Sequence, residues 1–599
     1  MSRPPARVLL FCLLLAAFLI SGYLVYRDVT RPGEPPVADD PPGAAVVPAG
    51  DKPAAGPGGL VVLVVFDQLR GDYLKRWDSH FSAEGFNRLK RDGAWFSDVE
   101  IPYACTSTGP GHATLVTGAM PSTHGIIENE WWDRAAAERV YCCRPTRHYD
   151  RVPLLPRPPD TPGKSREPGI SPDRLLAETV GDRLKEVTRG KARVFSLSLK
   201  DRTAVLMAGR KPDGVYCFDT RDGVFHTGAY YRELPHPWVA EYNADRHADR
   251  WFKQTWKLMR PDLDYARVLG RGDDAPGEGS GRNGQGRVFP HPYNLKLAAP
   301  ATSYYDAVEC SPAGNELVLD LAKKAVAAEK LGQGDTTDFL CLSFSANDIV
   351  GHTYGPDSWE VFDVTLRSDR TVAELLTFLD LEVGKGRHTL VVSADHGVCP
   401  VPESAGNPHP AAKRRTVNDV YPPLALALDA KYGKSPTAPS QWFETRSSGE
   451  HDRLWPWMWL NHREIAARGL KAVEVADFAR EWVAGRDFIE TAFTRAQIEA
   501  VNFPPGSVGE KVKHAYHKDR CGDVIAVPKP GVLVSGYTSG TSHGSPHRYD
   551  AHIPVLAVGR GVPALGEKSE KQSSLIVAPM LARALGIDPP KHAAAKAPY

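Results

Sequence analysis

Four stretches of the chain are apolar without alternation, and each runs into a charged residue within a few positions. "LVVLVVF", Leu60 to Phe66, leads into Asp67. "ARVFSLSL" leads to Lys200, "DFLCLSFS" to Asp348 and "HTLVVSA" to Asp395. Unbroken, β-branched runs of this length predict strands buried on both faces. Helical patterns lie between them: "GPGHATLVTGA", "SPDRLLAETVGDRLKEV", "SPAGNELVLDLAKKAVAAE" and "DVTLRSDRTVAELLTFLDLEVG". In the third, Ser311 is the expected N-cap and Pro312 the first helical residue. The alternation predicts an α/β fold, a mostly parallel sheet flanked by helices. Ligands of such sheets bind beyond the carboxyl ends of the strands, where these charged residues fall.

Other segments depart from this plan. Arg3 and Arg7 precede "VLLFCLLLAAFLISGYLVY", Val8 to Tyr26. An apolar run of about 19 residues makes roughly 28 Å of helix, enough to span a bilayer. Residues 1–29 are therefore expected to form a signal peptide or a retained signal-anchor. The lack of a clear A-x-A site favours a single-helix membrane tether. Residues 30–59 are rich in Pro, Gly and Ala and are expected to be a linker. A catalytic domain is expected over 60–588, with cap insertions near 210–305 and 402–530 and a flexible tail over 589–599. Either reading of the N-terminus exports the domain to the periplasm or beyond. Disulfides are then permitted among the eight cysteines that follow the apolar run, although spacing does not give their pairing. No C-x-x-C occurs, which argues against a thiolate zinc knuckle.

Composition narrows the class of partner. The 599 residues are 42% hydrophobic and 24% charged, with 73 basic against 72 acidic side chains and a formal charge of +1. This is a globular chain without the basic field that a dedicated nucleic-acid partner requires.

The candidate chemistry follows the strand ends. Asp348 and His352 are four apart and share a face if the segment is helical. "SADHG" adds Asp395 and His396, and "TSGTSHGSPHRYDAHIP" adds His543, His547 and His552. Asp67 completes the set. Each pair alone is commonly an ordinary hydrogen-bonded pair. Together, carboxylates and imidazoles suit zinc, and the set exceeds what one tetrahedral ion needs; two ions about 4 Å apart would use it. Thr108, before a helical pattern, either caps that helix or is a metal-activated nucleophile at a helix N-terminus suited to anions. Lys200 and Arg202 in "SLKDRTAV" project to one side if that stretch is extended; a solvated charged turn is the alternative.

Seven motifs then occur in order: "FDQLRGDY", "TGPGHATLVTG", "PSTHGIIENEWWD", "SLKDRTAV", "NDIVGHTYGPDS", "ADHG" and "GTSHGSPHRYDAHIP". In these the chain, from about Leu60 to Gly586, resembles the alkaline phosphatase superfamily. It is most similar to the threonine-nucleophile branch shared by phosphate-irrepressible alkaline phosphatases and type I phosphodiesterase/nucleotide pyrophosphatases. The resemblance implies two zinc ions, one held by Asp348, His352 and His543, the other by Asp67, Asp395, His396 and Thr108. It leaves His547 and His552 outside the metal set. It implies Thr108 as nucleophile, with Lys200, Arg202 and Asn129 binding phosphate as in the monoesterase branch. "TGPGH" stands where the diesterase branch has Phe-Pro-Asn-His. The expected activity is hydrolysis of small-molecule phosphate monoesters through a phosphothreonine intermediate, the alternative being a phosphodiesterase or nucleotide pyrophosphatase. A sulfatase is excluded, because "CTSTG" from Cys105 lacks the Pro and Arg that formylglycine formation needs.

Overall fold

The computed structural model describes residues 58–155, 168–293, 296–434, 441–444 and 454–599. The expected signal or anchor, and all but the last residues of the linker, lie outside them. Among the described residues no helix is long and apolar enough to cross a membrane.

The main sheet contains β1 (Gly59–Phe66), β2 (Ala94–Glu100), β3 (Arg151–Val152), β4 (Val194–Ser198), β5 (Gly214–Asp219), β6 (Val224–Gly228), β7 (Thr337–Phe344), β8 (His388–Ser393), β9 (His552–Gly559), β10 (Gly566–Lys568) and β11 (Gln572–Ser573). Across the sheet they run β10-β2-β9-β8-β1-β7-β4-β5-β6-β3, with β11 also on β2. The five central strands, β8-β1-β7-β4-β5, are mutually parallel. The pairs β8–β9, β9–β2, β5–β6 and β6–β3 are antiparallel. A parallel centre with mixed flanks is what the unbroken apolar runs call for, since only the centre is covered on both faces. Every residue of β1 is buried.

Six helices matter for the site or the tail: α1 (Thr108–Thr117), α2 (Asp201–Ala208), α3 (Pro312–Glu329), α4 (Ala346–Tyr354), α5 (Trp359–Leu379) and α6 (Val577–Leu585). Ser311 caps α3, its hydroxyl accepting from the Ala313 amide, and Pro312 opens the helix. The pattern over 171–187 gives a shorter helix than its length suggests, Val180–Val187. Thr179 and Asp182 form a reciprocal capping box that fixes its start.

Two expectations are corrected. The cap insertion does not begin near 210, because β5 and β6 continue the main sheet; Val215 and Cys217 bury against Ala204, Val205 and Ala208 of α2. Within 402–530, Trp457–Met458, Ile489–Thr494 and Val524–Pro528 form their own three-stranded sheet. Leu424, Trp442, Val475, Val483 and Val524 make a separate apolar cluster there. Residues 589–599 are not a loose tail. The Ala594 amide donates to the Gly118 carbonyl at 2.9 Å, and the Tyr599 ring stacks near Phe96 with centroids 6.4 Å apart. Small alanines let this segment lie close against the end of α1, where a side chain at Gly118 would meet Ala593 Cβ at 2.8 Å. The eight described cysteines are buried and unbridged.

Deleting residues 592–599 is expected to lower the melting temperature by about 2 °C or more, from the loss of about 2 kcal/mol of apolar contact. An unchanged melting curve would show that this packing adds nothing.

Candidate active site

Strand register brings the charged residues to one level. In the parallel centre, Val65 pairs with Ser343 and Ser393, and Ser343 pairs with Ser198. The chain beyond each of these residues leaves the sheet on the same edge. Asp67, Lys200, Asp348 and Asp395, scattered over some three hundred positions, therefore meet.

Asp67, Asp348, Asp395 and His396 are all buried. The Nδ1 atoms of His352, His396 and His543 face the carbonyls of Thr541, Gly397 and Thr106 at 2.8, 2.9 and 2.7 Å. A carbonyl only accepts, so Nδ1 carries the hydrogen and Nε2 presents its lone pair to the pocket. The Nε2 atoms of His352 and His543 lie 3.2 and 3.6 Å from Asp348 Oδ1. His396 Nε2 lies 3.4 Å from Asp67 Oδ1, 3.3 Å from Asp395 Oδ2 and 3.4 Å from Thr108 Oγ1. Two ligand-spaced groups result, Asp348/His352/His543 and Asp67/Asp348/His396, with Asp348 common to both and Asp395 against His396.

This donor set fits divalent cations. Imidazole lone pairs and carboxylate oxygens are all acceptors, and they converge at distances only a shared cation or proton tolerates. Asp67 Oδ1 is buried without a hydrogen-bond partner among the described residues, a costly state unless a cation meets it. Burial, then the neighbouring Asp348 and Asp395, push the Asp67 carboxyl up to about 6. Burial also opposes ionisation of Asp348, but His352 in its protonated form and Lys200 outweigh it and hold that carboxyl well below the usual range. Burial, with His396 and His352 nearby, keeps His543 neutral.

Thr108 is the first residue of α1, and its hydroxyl does not cap the helix. Ser107 takes the N-cap position, and its own hydroxyl turns instead to Glu128. The free amide of Gly109 donates to Asn129 Oδ1 at 2.7 Å. That contact fixes the Asn129 carbonyl and leaves its NH2 as the donor for a ligand. Arg202 Nη2 is 3.4 Å from Thr108 Oγ1. Lys200 Nζ bridges Asp67 Oδ2, at 2.7 Å, and Asp348 Oδ2. These two cations are not on an extended stretch as expected. Lys200 is the extended N-cap residue of α2 and Arg202 the second residue of that helix. They reach the site together because the helix turns there, with its positive dipole end toward the pocket.

His547 and His552 are directed elsewhere, to the carbonyls of Pro528 and Ser97. Three residues of the site escaped the sequence reading. His112 Nδ1 is 3.1 Å from Asp395 Oδ2 and 3.0 Å from Thr108 O; its four-residue spacing from Thr108 was the available signal. Gln68 donates its backbone amide to Asp395 and its side-chain amide to Asp348. It does so from a left-handed backbone, φ 68°, a strain typical of functional sites. Glu128 carried no signal beyond its place before Asn129. Two glycines permit the approach of the walls: a Cβ on Gly111 would meet the Asp395 carbonyl at 2.4 Å, and one on Gly351 would meet Gln68 Oε1 at 1.9 Å.

The chain is similar to known proteins over most of its length. The chain is 31% identical over 538 residues to alkaline phosphatase PhoV of Synechococcus elongatus, covering 89% of this chain and 90% of that protein. It is 30% identical over 541 residues to alkaline phosphatase PafA of Elizabethkingia meningoseptica, covering 90% and 93%. The crystal structure of wild-type PafA superposes with a TM-score of 0.80 at 28% identity, covering 91% of this chain and 99% of that one. Fold, site and relatives define a phosphoric ester hydrolase. Residues 61–550 match the model of the type I phosphodiesterase / nucleotide pyrophosphatase family, and the chain belongs to that family.

Burial raises Glu128 to about 7 in the folded protein, against about 4.5 when it is free. Its contribution is therefore complete below pH 4.5 and lost as pH rises through 7. Glu128→Gln is expected to gain on the wild type by about 3 kcal/mol between pH 4.5 and 9. Denaturant unfolding of both proteins across that range measures the gap, and a gap constant with pH would refute the assignment.

Proposed function

We propose that the protein is an exported, metal-dependent phosphomonoesterase that works with two zinc ions and a threonine nucleophile. Asp348, His352 and His543 would hold one ion, and Asp67, Asp395, His396 and Thr108 the other. Arg3, Arg7 and the apolar run after them support export. The observation that carries the reading is the pair of cations at the start of α2, with the Arg202 guanidinium 3.4 Å from the Thr108 hydroxyl. A monoester brings a dianion and needs such partners, whereas a diester brings one charge less and a second group to house.

When bound, the ions supply Lewis acidity at both ends of an in-line displacement and lower the pKa of water. Thr108 Oγ1 attacks phosphorus, so the phosphoryl group passes to the threonine while the alcohol leaves on the opposite side. Arg202 faces the equatorial oxygens and offsets their charge, and the Asn129 NH2 donates to them. The Gly109 amide keeps the Asn129 side chain turned that way. With its carboxylate partners engaged by metal, the Lys200 ammonium is available to the same oxygens. His112 braces Asp395 and the backbone of Thr108, so the nucleophile does not drift as its bond to phosphorus forms. Water then releases phosphate from Thr108 by the reverse geometry.

Thr108→Ala is expected to abolish turnover, by at least about 1,000-fold, while metal content by elemental analysis stays at the wild-type level. Replacing Lys200 and Arg202 with alanine is expected to reduce kcat/KM on an aryl phosphate at least about 100-fold. The loss on a bis-aryl phosphate is expected to be much smaller. Equal losses on both substrates would favour the diesterase reading.

A further inference from the structure

Lys200 and Arg202 have a second side. Behind the surface they turn to Thr108, they form the inner wall of a cavity of about 790 Å³. Its lining also includes Ile349, the residue next to Asp348. The cavity thus begins one guanidinium away from the nucleophile and beside the Asp348 end of the site. Its volume is that of a small-molecule site, and far larger than a phosphoryl group needs.

The charged groups of this wall fall into two kinds. Several are already paired: Arg221 with Asp219, and Asp201 with Tyr141 and the Arg202 amide. His226 lies 3.2 Å from Cys217 Sγ. Four others line the cavity without a side-chain hydrogen bond or ion pair among the described residues: Arg144, Arg282, Asp306 and Glu309. The two carboxylates are three apart at the end of one helix, Thr302–Glu309. The two guanidiniums come from separate loops, after the strand Glu138–Tyr141 and within the Gly-rich segment around 271–287. Glu309 faces Lys200, Arg202 and Arg282, yet desolvation still lifts its carboxyl to about 7, a cost that an arriving ammonium would relieve further. A purely anionic alcohol would meet Asp306 and Glu309, and a purely cationic one would meet Arg144 and Arg282. An alcohol that carries both charges satisfies both pairs.

We propose that this cavity is the subsite for the leaving alcohol, and that it selects phosphate monoesters of zwitterionic alcohols, the O-phosphorylated hydroxy amino acids. Asp306 and Glu309 receive the ammonium; Arg144 and Arg282 receive the carboxylate. This rests on the phosphomonoesterase reading above and names its substrate class. The phosphoryl group is held by Lys200, Arg202 and Asn129, and the four cavity residues act on specificity alone.

The test compares kcat/KM for four primary-alcohol phosphates with the metal-loaded enzyme: O-phospho-L-serine, O-phosphoethanolamine, 3-phosphoglycerate and glycerol 3-phosphate. O-phosphoserine is expected to exceed glycerol 3-phosphate at least 10-fold and to exceed both singly charged compounds. In Arg144→Ala/Arg282→Ala, the ratio of O-phosphoserine to O-phosphoethanolamine is expected to fall toward one. In Asp306→Asn/Glu309→Gln, the ratio of O-phosphoserine to 3-phosphoglycerate is expected to fall likewise. Turnover of all four at similar kcat/KM overturns the proposal and leaves the phosphomonoesterase reading standing. A preference for 3-phosphoglycerate or for O-phosphoethanolamine also overturns it, in favour of a singly charged alcohol. Failure to hydrolyse any of the four, glycerol 3-phosphate included, counts against the phosphomonoesterase reading itself.

Discussion

Three carboxylates are buried in one pocket, and like charges out of water repel one another strongly. Asp67, Asp348 and Asp395 cannot stay ionised there without cations among them. Everything around them supplies positive charge or fixes direction. Lys200 spans two of the three, and three imidazoles are turned lone-pair-inward by backbone carbonyls. The amide of Gln68 donates to Asp395 from a strained backbone. A cluster of this kind opposes folding unless it is filled, and that makes it a credible metal site rather than a set of surface ion pairs.

The same constraint shapes the surroundings of Thr108. Helix α1 must approach Asp395 closely enough for Thr108 to face His396, and glycine at position 111 is what allows it. The helix N-terminus then needs acceptors for its open amides. Ser107 does not provide one, because Glu128 takes its hydroxyl. Asn129 provides it instead, so one side chain closes a helix end and keeps its NH2 free to turn toward Thr108's surroundings. Packing and recognition are joined in a single contact.

The charges at the start of α2 work in two directions. On one face Arg202 meets the Thr108 hydroxyl and Lys200 the carboxylates. On the other they wall a cavity that Arg144, Arg282, Asp306 and Glu309 also line, without side-chain hydrogen bonds or ion pairs among the described residues. Arg144 and Arg282 are exposed and keep their hydration, while Asp306 and Glu309 are half-buried, and Glu309 bears a desolvation cost. The cluster around Thr108 and the cavity therefore share the Lys200 and Arg202 side chains as a common wall.

The sequence by itself determined the local elements. Unbroken apolar runs marked β1, β4, β7 and β8; Ser311-Pro312 marked the start of α3; and the four-residue spacing of Asp348 and His352 placed both on one turn of α4. Periodicity and capping act over a few residues, so a few residues reveal them. Only the tertiary structure decided what meets what. Strand register, set by side chains on neighbouring strands, brought Asp67, Lys200, Asp348 and Asp395 to one edge. It extended the sheet through 214–228, where an insertion was expected, and chain packing seated the last residues against α1. It also recruited His112, Gln68 and Glu128, whose roles depend on neighbours tens to hundreds of positions away. Contacts that span such distances leave no trace in local pattern, because their geometry comes from the packing of separately formed elements.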